Sequence, residues 1–419
     1  MVAHQLMNPA TDAVTSVSVD EAVALVAAAA PRTGTERMPL EGAVGRVLAA
    51  DVASLGDLPN CDVSAMDGYA CRAADTVRAR EGAAVALRLV GESAAGRPYP
   101  GVVGAGEAVA IFTGAPLPDG ADAVVRLEDA RRERDTIALD APASARDIRA
   151  RADQLASGAV YLRAGATLSP RAVLLAAAMG HDTVTVSRQP RVAVVVTGDE
   201  VVDPGSALGR GQVFNANGPA VAALVAHFGG SVRQVRHAAD DRDALMRHLD
   251  TLRERVDLIV TTGGAAAGRY DMVHTLLTDD PRGRAAFTRV RVRPGGPASF
   301  GFYGGVPLLA LPGNPAAAAV IFQLLGAAWL YSALGRSDPA PYPARTAVRA
   351  SAPFRHARHK TGLWPAVLAQ HARDDLPGIE PAVGAGGGPG ELGRATCLAV
   401  TAPWQDVPAG GRIEMMALA

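Results

Sequence analysis

The 419-residue chain is short of the residues that would cross-link it or charge it. Its three cysteines, Cys61, Cys71 and Cys397, are odd in number and lack Cys-x-x-Cys or Cys/His ligand spacing, so neither a disulfide framework nor a zinc ribbon is built on them. A reducing cytoplasm is the expected setting. Lys360 is the single lysine, and arginine supplies the rest of 41 basic charges against 42 acidic ones. A net charge of −1 gives no general attraction to nucleic acid or anionic lipid, so an anion must be held by a local site. The N-terminus lacks the basic start and continuous apolar core of a secretory signal. One uncharged apolar run, Ala316 to Gly335, approaches the length that crosses a bilayer. Gln323, the small residues around it and the preceding Pro-Gly-Asn-Pro turn mark it as a buried helix, and no membrane partner is expected.

What remains is 49% hydrophobic, enough for several folded units at roughly 100 to 200 residues per domain. Ser18 and Glu21 open a helix over 18–30, which Pro31 ends. From 61 to 145, short apolar runs split by Gly and Pro read as a β-rich insertion. It divides an N-terminal domain into 14–60 and 146–189. Residues 190–335 alternate strands with helices, the pattern of a doubly wound parallel sheet. A proline-rich break follows, and 336–419 reads as a small C-terminal β-barrel-like domain. The fold class is therefore α/β multidomain, with helical and β-rich N-terminal parts.

In a doubly wound sheet ligands sit at the carboxyl ends of the strands. Thr-Gly-Asp-Glu at 197–200, His-Ala-Ala-Asp-Asp at 237–241, Thr-Thr-Gly-Gly at 261–264 and Leu-Pro-Gly-Asn-Pro at 311–315 all fall there. Glycines after a strand let backbone amides converge on an anion, though glycine also simply makes tight βα turns. Asp62, Asp67, Asp199, Glu200, Asp240, Asp241 and Asp271 could place a hard cation beside a phosphate. Any one alone is more often a cap or a solvated loop residue, and it is their joint placement at one sheet edge that favours a site. Arg289, Arg291 and Arg293 alternate, as a basic strand face or a solvated edge would. The histidines are scattered and none is assigned to a metal.

Asn-Cys-Asp-Val-Ser-Ala-Met-Asp-Gly-Tyr-Ala at 60–70, Thr-Gly-Ala-Pro-Leu-Pro with Gly-Ala-Asp-Ala-Val-Val at 113–125, the Thr-Gly-Asp-Glu loop, Arg-Pro-Gly-Gly-Pro at 293–297 and Leu-Pro-Gly-Asn-Pro occur in that order. Together they resemble the molybdopterin molybdenumtransferases, the MoeA and gephyrin E-domain family, over nearly the whole chain. The resemblance implies molybdenum cofactor biosynthesis: molybdate enters the dithiolene of adenylylated molybdopterin and AMP leaves, with Mg²⁺ assisting. It implies a homodimer with a site shared between subunits, and transient contact with other cofactor-biosynthesis proteins or a molybdoenzyme. Asp62, Asp67, Glu200 and Asp271 are the implied catalytic carboxylates, and Glu200, Asp240, Asp241 and Asp271 the implied metal ligands. Ser64, Thr113, Gly263, Gly264, Arg293, Pro294, Pro297, Pro312, Gly313 and Asn314 fall in the implied binding loops.

The departures lie on those same loops. Ala265, Ala266 and Ala267 stand where relatives usually carry Val-Ser-Val, Arg269 replaces an acidic residue, and Gln154 replaces an aspartate. Arg293 takes the first lysine of a Lys-Pro-Gly-Lys-Pro segment and Gly296 the second, so one cation is lost there. The alternative reading is a weakened paralogue that binds molybdopterin or finished cofactor as a carrier for one molybdoenzyme.

Overall fold

A computed structural model describes residues 16–263, 272–337, 343–369, 376–382 and 388–419. The strand Arg191–Thr197 organises the α/β unit. Every residue after Arg191 is buried, and the run is dominated by valine, as a strand covered on both faces requires. Alternation then sorts its side chains. Val192, Val194 and Val196 join a core with the helix Asn217–His227 and the apolar helix beginning at Pro315. Ala193 and Val195 face the other way, onto the helices Arg242–Leu252 and Met272–Thr278.

The sheet runs Ser231–Ala238, Arg191–Thr197, Leu258–Thr262, Val306–Leu311, Ser299–Tyr303, Gly283–Phe287. The first four are parallel, and the last two add an antiparallel edge to the expected all-parallel sheet. The cause is local: Gly304 and Gly305, with φ of 54° and 87°, make a two-residue hairpin turn that demands positive φ at both positions.

The N-terminal helix Val19–Ala28 carries the expected capping box, with Ser18 N donating to Glu21 Oε2 at 2.7 Å and Glu21 N to Ser18 Oγ at 3.3 Å. Its buried Val19, Ala22 and Val26 join the α/β core, not the core formed by the rest of 14–60. That second core gathers Leu40, Leu48 and Val52 with Leu168, Met179 and Val186, bringing together chain from both sides of the insertion. The insertion forms a six-stranded sheet whose first two strands in spatial order are Ala123–Arg126 and Gly68–Cys71. Arg126 grips Asp147 with two bonds of 2.9 Å, fixing the exit from this sheet.

The long apolar segment is one helix in three parts: Pro315–Ile321, a π turn at Phe322–Gly326, and Ala327–Leu334. Its most apolar window is 83% buried inside the protein, which makes it a core helix. Gln323 sits in the π turn and its amide meets the end of the chain: Nε2 donates to Ala417 O at 2.6 Å, and Ala419 N donates to Oε1 at 3.0 Å. Five C-terminal strands close on themselves, because Cys397–Thr401 pairs with both Arg412–Ala417 and Thr361–Leu368. The short strand Val292–Arg293 leaves the α/β unit to pair in parallel with Thr361 and Gly362 on this barrel.

Candidate active site

The ends of three parallel strands converge. Thr197 Oγ1 donates to Thr262 O at 3.3 Å, and Gly263 N donates to Leu311 O at 3.2 Å. Gly263 has φ of 88°, and a Cβ there would lie 2.8 Å from the Thr197 carbonyl oxygen, so only glycine fits. A Cβ on Gly313 would lie 3.7 Å from Gly263 Cα, so the two glycine loops face each other across a narrow gap. Pro312 is buried behind them, whereas Gly313 and Asn314 are exposed. Asn314 caps the next helix through Ala317 N at 3.0 Å. Gly264 and Asp271 lie outside the described residues, as do Ala265 to Ala267 and Arg269.

The Thr-Gly-Asp-Glu loop brings carboxylates to this edge. Asp240 N donates to Asp199 Oδ1 at 3.0 Å, and His237 Nε2 lies 2.7 Å from Gly198 O. Partial desolvation first, then the charges of Asp199 and Glu200, push the Asp240 carboxyl above its ordinary value. Asp241 has a different occupation: its carboxylate caps the helix Arg242–Leu252, accepting from Asp243 N at 2.9 Å and Ala244 N at 3.0 Å. Among the described residues no three His, Cys, Asp or Glu side chains converge closely enough to hold a metal by themselves.

Two residues that pattern reading passed over also reach this edge. Asn217, at the start of its helix, donates from Nδ2 to Gly313 O at 2.9 Å, while its buried Oδ1 has no partner. Asn215 caps the same turn, accepting from Gly218 N at 2.9 Å. The buried Thr262 Oγ1 at the end of its strand is likewise without a partner. Such orphaned groups are uncommon in a folded core and mark places where a ligand or water completes the bonding. The signal was present as Asn-Ala-Asn-Gly-Pro immediately before a helix.

A second group forms in the insertion. Asp67 Oδ1 accepts from Thr113 N and Oγ1, and Asp62 Oδ1 accepts from Arg151 N at 2.8 Å. Ser64 is buried and turns its hydroxyl onto Met66 O at 2.5 Å. Among the described residues, no hydrogen bond or salt bridge joins this group to the strand-end group. The arginine stripe also divides. Arg291 is bound to Ser16 O at 2.9 Å and to Glu21 at 3.3 Å, so it anchors the N-terminal helix. Arg289 and Arg293 are exposed, and Arg293 places its guanidinium 5.6 Å from the Trp364 ring centre, just before a cis peptide to Pro294. Pro297 is half-buried at the far end of that turn. A cavity of about 550 Å³, lined by Ser18, Asp20, Arg345 and Glu414 among others, lies between the N-terminal helix and the barrel and contains none of the expected site residues.

The chain is similar to known proteins over most of its length. Residues 17–180 match the MoeA N-terminal region (domain I and II), and 193–331 match the probable molybdopterin binding domain. Two structures of the molybdopterin biosynthesis MoeA protein from Pyrococcus horikoshii superpose with TM-scores of 0.82 and 0.81, at 28% and 24% identity. They cover 96% of this chain and 99% and 100% of their own. Molybdopterin molybdenumtransferase 2 of Mycobacterium tuberculosis is 36% identical over 307 residues, 72% of this chain and 76% of its own. The molybdopterin molybdenumtransferase of Staphylococcus aureus strain MSSA476 is 33% identical over 286 residues, 68% of each chain. With identity above 30% across two thirds or more of both chains, this protein belongs to the molybdopterin molybdenumtransferase (MoeA) family.

Proposed function

We infer that the protein is an enzyme of molybdenum cofactor biosynthesis that inserts molybdate into the dithiolene of adenylylated molybdopterin and releases AMP. The observation that carries this reading is the meeting of Gly263, Gly313, Thr262 and Asn217 at one strand edge, where two buried polar atoms, Asn217 Oδ1 and Thr262 Oγ1, are left open. The glycine loops let an anion approach backbone, and the open Asn217 oxygen can accept a hydrogen bond from a pterin ring. Electrostatic positioning of the phosphoanhydride, in place before the bond breaks, supplies most of the rate in this kind of site. The curated relatives carry the name of the transfer reaction, which puts transfer ahead of a carrier role.

Mg²⁺ typically binds through one or two carboxylates, with substrate phosphates and water completing its shell. Glu200 and Asp240 fit that demand, whereas Asp241 is spent on its helix cap. Bound there, the ion would neutralise phosphate charge. The insertion group of Asp62, Ser64, Asp67 and Thr113 belongs to the same site in a two-fold homodimer, where each subunit offers this group to the strand ends of the other. The cytoplasm is the compartment this reading implies.

The test is single-turnover AMP release from adenylylated molybdopterin with molybdate and Mg²⁺ present. Release well above background that is lost in Glu200→Ala supports the assignment. Tight pterin binding with no release sinks it in favour of a carrier.

A further inference from the structure

We propose that His237 is a positioning residue of the substrate site: its ring clamps the turn that carries Asp199 and Glu200, and so sets where the Glu200 carboxylate stands. This rests on the function inferred above, in which Glu200 and Asp240 meet Mg²⁺. His237 Nε2 lies 2.7 Å from Gly198 O, and because a carbonyl oxygen only accepts, Nε2 carries the proton and donates it. Val201 N donates to the same oxygen at 3.1 Å. Gly198 O thus uses both lone pairs, one to close the turn 198–201 from within and one to pin it from outside. Asp199 and Glu200 are the two central residues of that turn.

The pin matters because the sheet stops short of the turn. The parallel pairing of Arg191–Thr197 with Ser231–Ala238 ends at Thr197 and Ala238, and His237 itself pairs with Val196. Beyond the last pair two bonds continue across, both from the segment 237–240: His237 Nε2 to Gly198 O, and Asp240 N to Asp199 Oδ1 at 3.0 Å. The segment that carries Asp240 therefore holds the turn that carries Glu200 at two points. On the far side of the turn, Val213 N donates to Glu200 O at 2.9 Å. Without the imidazole, the near side is left with the Asp199 bond alone.

Glu200 depends on this hold more than its neighbour does. Gly198 has φ of 133°, and a Cβ there would lie 2.7 and 2.8 Å from the two Glu200 carboxylate oxygens. The carboxylate is folded back against the bare Cα of Gly198, a close approach that only glycine permits. Among the described residues it has neither a hydrogen bond nor an ion pair, whereas Asp199 is fixed by the Asp240 amide. The place of the Glu200 carboxylate is thus set by the backbone of the turn, and the backbone of the turn is what His237 fixes. A hydrogen bond made behind a ligand in this way aims the ligand at its cation.

The test compares His237→Ala and His237→Gln with the wild-type chain, since the glutamine amide can take the place of Nε2 as donor. Hydrogen exchange followed by mass spectrometry should show faster exchange in His237→Ala over residues 197–214 and no change in the helix Arg242–Leu252. Mn²⁺ affinity, read from the electron paramagnetic resonance signal of the free ion, should weaken about fivefold, the size expected for one lost hydrogen bond. The Mg²⁺ concentration for half-maximal AMP release should rise by the same factor, while molybdopterin affinity measured without metal stays level. His237→Gln should recover most of the Mn²⁺ affinity. Unchanged exchange in His237→Ala overturns the proposal. Faster exchange with unchanged Mn²⁺ affinity also overturns it, because His237 would then only brace the loop, and so does a glutamine variant as weak as the alanine one. Absent AMP release in the wild-type chain, with exchange and Mn²⁺ affinity responding as expected, would fell the transferase reading and leave the role of His237 standing.

Discussion

The Asp67 carboxylate accepts two hydrogen bonds from Thr113, one from its amide and one from its hydroxyl, each 2.8 Å long. The amide bond first and the hydroxyl bond second stabilise the ionised form and hold Asp67 below its ordinary value. Since the folded value lies below the unfolded one, the pair contributes stability in full above the ordinary aspartate range. That contribution is lost as pH falls through the folded value. Thr113→Val removes one donor, so the Asp67 titration followed by carboxyl NMR should move upward, and stability at neutral pH should fall by the matching part of that contribution while stability below the folded value is little changed. An unmoved titration would show that the hydroxyl does not contribute.

Asp240 and Asp241 are adjacent in sequence and should separate cleanly by experiment. Asp241→Ala removes a helix cap, with an expected cost of about 1 kcal/mol in denaturant unfolding and an unchanged Mg²⁺ dependence of AMP release. Asp240→Ala relieves repulsion with Asp199 and Glu200, so folding should not suffer and the Mg²⁺ requirement should rise. The reverse pattern would reassign the metal role to Asp241.

Asn217 links the start of its helix to the Gly313 loop. Asn217→Ala should cost about 1 kcal/mol of stability for the lost bond. Its larger effect should fall on molybdopterin affinity, measured by fluorescence quenching, since the open oxygen is lost as well. Equal affinity in the variant would make Asn217 structural only.

A shared site can be tested by mixing. Asp67→Asn and Glu200→Ala subunits, each inactive alone, should regain about a quarter of wild-type AMP release when unfolded and refolded together, because random pairing makes half the dimers mixed and each mixed dimer has one intact site. No recovery, with dimers verified by light scattering, would place both groups in the same subunit's site.

Much of this molecule was legible because period and punctuation carry it. The Val-Ala-Val-Val-Val run from 192 to 196 signals a doubly covered strand, and Ser18 with Glu21 signals a helix start. The antiparallel edge was also written, in Gly304 and Gly305, but a prior expectation of parallel strands concealed it. Other features have no local signature. Arg291 and Arg293 look alike in sequence, yet one is neutralised by a glutamate 270 residues away and the other stacks on a tryptophan of the barrel. Asp240 and Asp241 differ only in which of them meets the helix amides. The approach of Lys360 to Gly296 depends on a two-residue pairing between distant strands, which no pattern within either segment announces.

The grip of Gln323 on Ala417 and Ala419 has a practical side. Anything fused behind Ala419 begins one hydrogen bond from the buried π turn, so a purification handle attached there would pull on the core helix that follows the Pro312–Asn314 loop. A tag belongs at the opposite terminus, and a few residues trimmed from this one would act as a distant lever on the substrate site.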